Sequence, residues 1–542
     1  MMKRIISLIL IFSMLLTGCM ASIPEADPKA EINFYMNIAP TNLDPQTTFY
    51  TYDVETLSTY CEGLVNKDKD SNIIPGIAER WEVSDDGLKY RFYLRKDAKW
   101  SNGTPVTADD FVFGWQRVLD PNTASDASFL FLNGVNMKGA EEVFYENAPL
   151  DTLGVKAVSS HILEVELNEP CPYFLQLVCS ACCLPCNMEF YYAHKADYGK
   201  RGQSIISCGP YTVDYYEPMG MQIHLTKNKY YYDADKVSVP GINIQIIEDV
   251  QQLIMSFEKG DADIIPLSGE QQEVSEGDPR MTYAPKQMFY YIQPNMNNPI
   301  LTNRNIRIAM NLSINREKIQ ENLLKAGYYP HSRIIPDGFC KDPDGSDFAE
   351  DPNKYSDICG FDREKARQYW EKGLKELNIS SAVLEYITTS DNNTFMDVLK
   401  EEWENTLPGF TMKYRVVPAK AYYEEIKKGK FDLLYYGFGA DYADPSTYLN
   451  VLSEDSELNY GNYDSSDYNR ALKESKDKDI VNDPEKRFEK LHEAEDIIMN
   501  DAGIFPMYSY GPSRLVSSDV KGIEFRSIYP AITFKNAVKE VH

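Results

Sequence analysis

Positive charge is what this sequence is short of. Lysine and arginine number 55 against 82 aspartates and glutamates, a formal net charge of −27. So acidic a chain offers no basic face to nucleic-acid phosphates, and it does not suit a ligand chosen for its negative charge. Histidine is scarce as well: His161, His194, His224, His331, His492 and His542 are scattered and keep no metal-ligand spacing. Also missing are the G-x-x-x-x-G-K-[ST] phosphate loop, the G-x-S-x-G nucleophile elbow and the H-E-x-x-H helix. Paired acids such as Asp85-Asp86, Asp109-Asp110 and Glu424-Glu425 fall in expected turns or on helix faces, where solvated positions are the plainer reading. No catalytic constellation emerges, so neither an enzyme nor a cofactor is expected. Past the N-terminus no apolar run approaches the ~20 residues of a membrane span, and no internal repeat or long low-complexity segment stands out.

What is present begins with a targeting pattern. Lys3 and Arg4 precede a short apolar run, Ile5 to Leu16, and then comes Leu16-Thr17-Gly18-Cys19. That run looks like the lipobox of bacterial lipoproteins, in which the signal peptidase cuts before the cysteine and its sulfur receives a diacylglycerol. A plain signal peptide or a span would share the charge pattern, but the apolar run is short for a span. Residues 1–18 are therefore expected to be a leader, Cys19 the lipidated residue and 19–30 a polar tether. The remaining body, in a chain of 542 residues with 43% hydrophobic and 25% charged residues, is globular and too long for one core.

Cysteine is unevenly placed. Apart from Cys19 there are Cys61, Cys171, Cys179, Cys182, Cys183, Cys186, Cys208, Cys340 and Cys359, and Cys179 to Cys186 holds two C-x-x-C spacings. Such spacing can bind zinc or an iron–sulfur cluster. The surrounding run CPYFLQLVCSACCLPC is apolar, however, and no second ligand pair follows at finger-like spacing. Buried thiols or a disulfide are the expected state, and no metal site is expected.

Along the chain, Glu31 to Asn37 reads as a strand and Tyr52 to Leu64 as a helix closing at Gly63. Trp81 to Val83 and Tyr90 to Leu94 form a hairpin with Asp86-Gly87 at its turn. Thr107 caps a helix over Ala108 to Leu119, whose Phe111, Trp115 and Val118 share one face. Further helices are expected over Asn315 to Lys325, Asp362 to Leu377 and Asp483 to Met499. They alternate with strands such as Val383 to Thr388 and Met412 to Val417, a βαβ pattern. The most informative stretch is Phe431 to Tyr448, FDLLYYGFGADYADPSTY. An apolar strand, Phe431 to Tyr436, breaks at Gly437-Phe438-Gly439, where glycines allow a sharp turn or close approach to a ligand. Asp441 then stands past the end of a buried strand, where open α/β sheets bind ligands. Turn or helix-cap duty is the bland alternative for Asp441 and Asp444, and Asp444, fixed by Pro445, is assigned to the turn.

The run from Pro75 to Pro121, PGIAERWEVSDDGLKYRFYLRKDAKWSNGTPVTADDFVFGWQRVLDP, resembles the signature of family-five solute-binding proteins of bacterial ABC importers. The resemblance is strongest to the oligopeptide-binding members. It continues through Asn122 to Ser125, Asp151 to Ala157, Glu169-Pro170, Gly209-Pro210-Tyr211 and Arg304 to Arg316, and ends in Ala440-Asp441-Tyr442-Ala443-Asp444-Pro445. What it implies is an α/β architecture, a periplasmic-binding-protein-like type II Venus flytrap with two α/β lobes and an additional inserted domain. Lobe I would comprise 31–61 with 189–288 and 509–542, the inserted domain 62–188, and the opposing lobe 289–508. The implied function is capture of oligopeptides and delivery to the permease and ATPase subunits of an importer, from a monomer anchored on the extracytoplasmic face of the cell membrane.

In that family the aspartate of a G-W-x-A-D-Y motif pairs with the peptide α-ammonium, and Asp441 occupies its place. Gly437, Phe438, Gly439, Tyr435 and Phe129 are the accompanying ligand-binding candidates. The motif's tryptophan is Phe438 here. Two cysteines that cross-link the sides of the cleft in some members appear as Met288 and Gly439, and basic residues that receive the ligand carboxylate appear as Tyr435 and Ile426. Another solute of the same family (a dipeptide, a nickel chelate, a sugar) and a peptide-signal receptor or chaperone without transport are the competing readings. The lipobox generates a direct test: Cys19→Ala is expected to abolish lipid labelling and detergent partitioning, and unchanged labelling refutes the anchor.

Overall fold

The computed structural model describes residues 30–540 apart from 49, 69–71, 218–219, 268, 284–287, 326, 391–392, 482 and 527–531. The expected leader and Cys19 lie outside the described residues. No helix among the described residues is long and apolar enough to cross a membrane.

The first strand, Ile32–Met36, is central in a seven-stranded sheet. The sheet runs in the order Met281–Tyr283, Ser513–Val516, Ile264–Leu267, Ile32–Met36, Gly241–Ile246, Gln222–Lys227, Tyr211–Tyr216. Ile32–Met36 is parallel to both neighbours. Parallel strands are covered on both faces, and Ile32, Phe34, Ile242, Ile244 and Ile264 are accordingly buried.

A six-stranded sheet follows the order Tyr328–Pro330, Phe505–Tyr510, Met288–Pro294, Leu433–Gly439, Ala382–Thr388, Phe410–Val416. Its last two strands are parallel and joined through the helix Thr394–Thr406, the βαβ unit that the alternating pattern requires. The third sheet is antiparallel: Ala78–Val83, Lys89–Leu94, Ile162–Glu166, Val155–Ser159. Gly87 turns its first hairpin with φ +68°. The helix Ala108–Leu119 packs on this sheet with Phe111, Trp115 and Val118 fully buried.

The chain passes between the two larger sheets twice, and the strand ends that flank the two passages are paired in both sheets. Met281–Tyr283 and Met288–Pro294 bracket one, Phe505–Tyr510 and Ser513–Val516 the other. Tyr283 faces Ser513 in the seven-stranded sheet, and Met288 faces Tyr510 in the six-stranded one.

Several local expectations shift. The first helix spans Thr51–Tyr60 and stops before Gly63, because Cys61 turns extended and the Gly209 N–H takes the Tyr60 carbonyl at 2.9 Å. Gly63 instead offers its carbonyl to the Ile77 N–H at 2.9 Å. The helix over Asn315 to Lys325 forms as a single α-turn, Arg316–Ile319, followed by a wider π-turn, Gln320–Leu324. There the Arg316 guanidinium is buried and tied to the Pro506 and Cys359 carbonyls at 2.6 and 2.8 Å. The helices Arg363–Leu377 and Pro484–Asn500 start after Asp362 and Asp483, whose side chains cap the Lys365 and Lys486 amides. Asp110, expected to be solvated, is buried. Its carboxylate accepts from the Thr107 N–H and hydroxyl (2.7 and 3.1 Å) and from the Trp100 indole (3.3 Å). Burial pushes that carboxyl up to about 6 even against these bonds.

The helix Ala108–Leu119 is tied to the loop after the first strand by a buried pair. Arg117 Nη1 and Nη2 donate to Asp44 Oδ1 and Oδ2 at 3.1 and 2.6 Å, and the guanidinium lies over the Tyr191 ring. Removing one partner of such a pair strands the other charge. Arg117→Met is expected to lower unfolding stability by about 3–5 kcal/mol in urea titration; a change under about 1 kcal/mol contradicts this.

Candidate functional site

Strand Leu433–Gly439 lies between Met288–Pro294 and Ala382–Thr388 in the six-stranded sheet. It ends beside Met288, which pairs with Gly439 on one side and Tyr510 on the other. This is the end at which the chain crosses to the seven-stranded sheet. Asp441, two residues further, therefore projects from the sheet end that faces the other large sheet.

The expected break at Gly437-Phe438-Gly439 does not occur: the strand runs through all three residues. The glycines serve close packing instead. Tyr290 stands directly across from Gly437, and a Cβ there would meet Tyr290 Cε1 at 2.6 Å. The Tyr290 ring stacks on Tyr435 (5.7 Å, 10°), which also meets Phe395 at 4.7 Å. Tyr328 and Tyr510 extend this half-buried tyrosine group. Burial pushes the Tyr290 hydroxyl up to about 12, leaving it a neutral donor and acceptor. On the opposite face Phe438 packs edge-on against Tyr448 (6.0 Å, 80°). Tyr448 is buried and its hydroxyl has no partner among the described residues. Its pKa is raised by burial first, then by the nearby Cys340 and Asp441.

Two aspartates three residues apart have opposite surroundings. Asp444 is buried and receives both Arg487 Nη1 and Nη2 at 2.7 Å. It also accepts from the Ser446 N–H (3.0 Å) and hydroxyl (2.6 Å). Burial acts to raise its pKa, but the guanidinium and the Ser446 bonds outweigh it and hold the carboxyl below its usual range. Asp444 is thus a turn residue, as expected, but also half of a buried ion pair, which the sequence reading missed. Asp441 has no side-chain hydrogen bond or ion pair among the described residues; only its backbone N–H is engaged, with Thr447 Oγ1 at 3.2 Å. Asp441 is exposed as a residue, yet protein packs near enough to its carboxyl that loss of water alone pushes it up to about 6. A carboxylate partly stripped of water and without an internal partner among the described residues is suited to a cation from outside the chain.

The loop carrying Asp441 is held on both flanks. Beside the Arg487 pair, Tyr442 stacks on Tyr173 at 3.9 Å and 7°. Tyr173 belongs to the chain segment of the four-stranded sheet, so that segment meets the loop directly. Phe129 lies in the same segment, 42% exposed, just before the turn Leu130–Gly134. Ile426 cannot meet a ligand carboxylate: it is fully buried with Ile387, Phe431 and Leu434. Met288 and Gly439 are in-register neighbours within one sheet. A cross-link between them would staple adjacent strands rather than the two sides of a cleft.

The cysteine-rich stretch is core. Cys171 Sγ faces the Gly134 carbonyl, Cys179 Sγ those of Val65 and Leu175, and Cys183 Sγ that of Leu177. Cys186 Sγ lies 3.6 Å from the Tyr198 hydroxyl and accepts from Arg117 at 3.4 Å. Cys182 and Cys183 are in side-chain contact with each other, and among the described residues no three metal-ligating side chains converge.

Residues 72–460 match the family of bacterial extracellular solute-binding proteins, family 5 middle. The dipeptide-binding protein DppE of Bacillus subtilis is 28% identical over 96% of this chain and 97% of its own. The oligopeptide-binding protein OppA of the same organism is also 28% identical, over 96% and 97%. Among solved structures, Listeria monocytogenes OppA bound to peptide superposes with a TM-score of 0.73 at 27% identity, covering 95% of this chain and 100% of that one.

The contrast between the aspartates generates a stability test. Asp444→Asn leaves Arg487 buried without its counter-charge and is expected to cost about 3–5 kcal/mol in unfolding free energy. Asp441→Asn, which removes an unpaired enclosed charge, is expected to leave the unliganded protein as stable or slightly more so. Equal losses in the two variants would show that Asp441 has an internal partner.

Proposed function

The chain belongs to family five of the bacterial extracellular solute-binding proteins, and on that premise we propose that it captures short peptides by their free amino terminus at Asp441. It is a binding protein of the type II fold, not an enzyme. The observation that carries the reading is the unpaired carboxylate of Asp441 at the sheet end facing the opposite sheet. Every free peptide bears one α-ammonium whatever its side chains, so a single enclosed carboxylate recognises the class. Enclosing both ions is costly unless hydrogen bonds complete the pair. The adjoining edge of Gly437 to Gly439, Phe438, and the tyrosine group of Tyr435 and Tyr290 offer surface for the backbone and first side chains. Phe129, on the segment of the four-stranded sheet, is proposed to approach from the far side.

The two larger sheets are proposed to be the cores of two lobes, 31–61 with 189–288 and 509–542 against 289–508, with 62–188 as the inserted domain. Closure about the paired crossings would bury the ligand. Lipid attachment at Cys19, delivery to a permease with its ATPase, and residence on the extracytoplasmic face complete the proposal. A dipeptide preference is the second reading, supported by the similarity to DppE. A ladder of peptides from two to six residues separates it from oligopeptide binding.

Calorimetry with one peptide, free and N-acetylated, tests the central claim. Acetylation and Asp441→Asn are each expected to cost about 3–5 kcal/mol, or two to four decades of affinity. The pH dependence has a definite sign. Binding needs the carboxylate, whose pKa in the free protein is about 6 and falls when an ammonium arrives. Affinity should be level from about pH 6 to about 8, where a free peptide amine loses its proton, and weaken about tenfold for each unit below the plateau. Unchanged affinity on acetylation and in Asp441→Asn would refute the assignment.

A further inference from the structure

Away from the candidate site, two cysteines meet where the chain enters and leaves the stretch 62–207. Cys61 follows the helix Thr51–Tyr60, and Cys208 leads through Gly209-Pro210 into the strand Tyr211–Tyr216. The two segments are hydrogen-bonded, the Gly209 N–H donating to the Tyr60 carbonyl at 2.9 Å. They are in backbone contact as well: a Cβ on Gly209 would meet the Cys61 carbonyl carbon at 2.9 Å. Cys208 Sγ lies 3.5 Å from the Glu62 amide nitrogen and 3.4 Å from its carbonyl oxygen, alongside the Cys61–Glu62 peptide bond.

We propose that Cys61 and Cys208 form a disulfide that clasps the two ends of the stretch 62–207. The two thiols are already in side-chain contact, and burial first, then this contact, pushes the Cys61 thiol up, so the exchange is faster at alkaline pH. No backbone segment has to be brought from afar for the bond to form, which is the usual obstacle to a disulfide. Cys61 is only half-buried, and it lines a small cavity of about 20 Å³ with Cys179, Glu62 and Lys535. Cys61 is thus the more exposed of the two thiols and Cys208 the buried one.

The step is an exchange with an external disulfide. The Cys61 thiolate attacks one sulfur of RS–SR and releases RSH, and Cys208 then displaces the second RS group. The balance is two thiols and one RS–SR to one protein disulfide and two RSH. The bond would close a loop that contains the whole four-stranded sheet, so it restrains the unfolded chain over a long span. Cys171, Cys179 and Cys183 are each turned to a backbone carbonyl in the core.

Folded full-length protein is incubated with oxidised glutathione, blocked with an alkylating reagent and digested without reductant. Mass spectrometry is expected to find the Cys61 and Cys208 peptides joined, and dithiothreitol to separate them. Oxidation should raise the melting temperature by a shift on the order of 5 °C, and that shift should vanish in Cys61→Ser but persist in Cys182→Ser. Because Cys208 is buried and its variants may not fold, the wild-type peptide map is decisive. Cys61 and Cys208 both recovered alkylated, or joined to other cysteines, or joined to each other only after denaturation, would overturn the proposal.

Discussion

The bidentate ion pair between Asp444 and Arg487 fixes the loop on which the candidate site stands. Arg487 comes from the helix Pro484–Asn500 and reaches the loop through the interior, where both groups are nearly sealed from water. A pair so placed gains little net stability over an apolar contact, because desolvation offsets most of the attraction. Its effect is geometric. Two parallel N–H···O bonds set both the position and the tilt of the carboxylate, and Ser446 takes its remaining capacity. With Asp444 committed inward, the chain direction leaves Asp441 outside, where no side chain among the described residues satisfies it.

Stacking of Tyr442 on Tyr173 extends that constraint to a second body of the protein. The loop is therefore pinned by a charge on one side and an aromatic face on the other. The strand behind it is stiff for a different reason. Gly437 has no side chain, and the Tyr290 ring occupies the space, so the sheet stays packed through a glycine-rich run. Pinning of this kind favours binding, since the enclosed carboxylate need not be ordered when a ligand arrives.

The two large sheets are linked at two neighbouring places, each flanked by paired strand ends, and this limits how they can move. A single link allows twisting, whereas two neighbouring links favour a bend about an axis across both. In the proposed function this bend would carry the seven-stranded sheet toward Asp441 and remove its remaining water. The same loss of water that holds the free carboxyl up to about 6 would then strengthen its attraction to an ammonium.

Local chemistry was legible in the residues alone. The hairpin around Asp86-Gly87, the helix Ala108–Leu119 with its buried face, the helices beginning at Asp362 and Asp483 and the βαβ alternation all depend on neighbours a few positions apart. The place of Asp441 just past an apolar strand is likewise a feature of the chain order, which by itself also allowed turn or cap duty. Contacts between distant segments were not legible. Nothing near Asp444 announces an arginine 43 residues on, and nothing near Tyr442 announces Tyr173. Gly437 to Gly439 read as a break because glycine permits one, and pairing with Met288 to Tyr290 on the facing strand carries the strand through them. The helix from Tyr52 was cut short by an amide arriving from Gly209. The sequence by itself determined the elements, the signature and the aspartate at the strand end, because propensity and periodicity act locally. Tertiary structure decided which of two nearby carboxylates is neutralised within the protein and which has no side-chain partner among the described residues, because that depends on charges brought together only by folding.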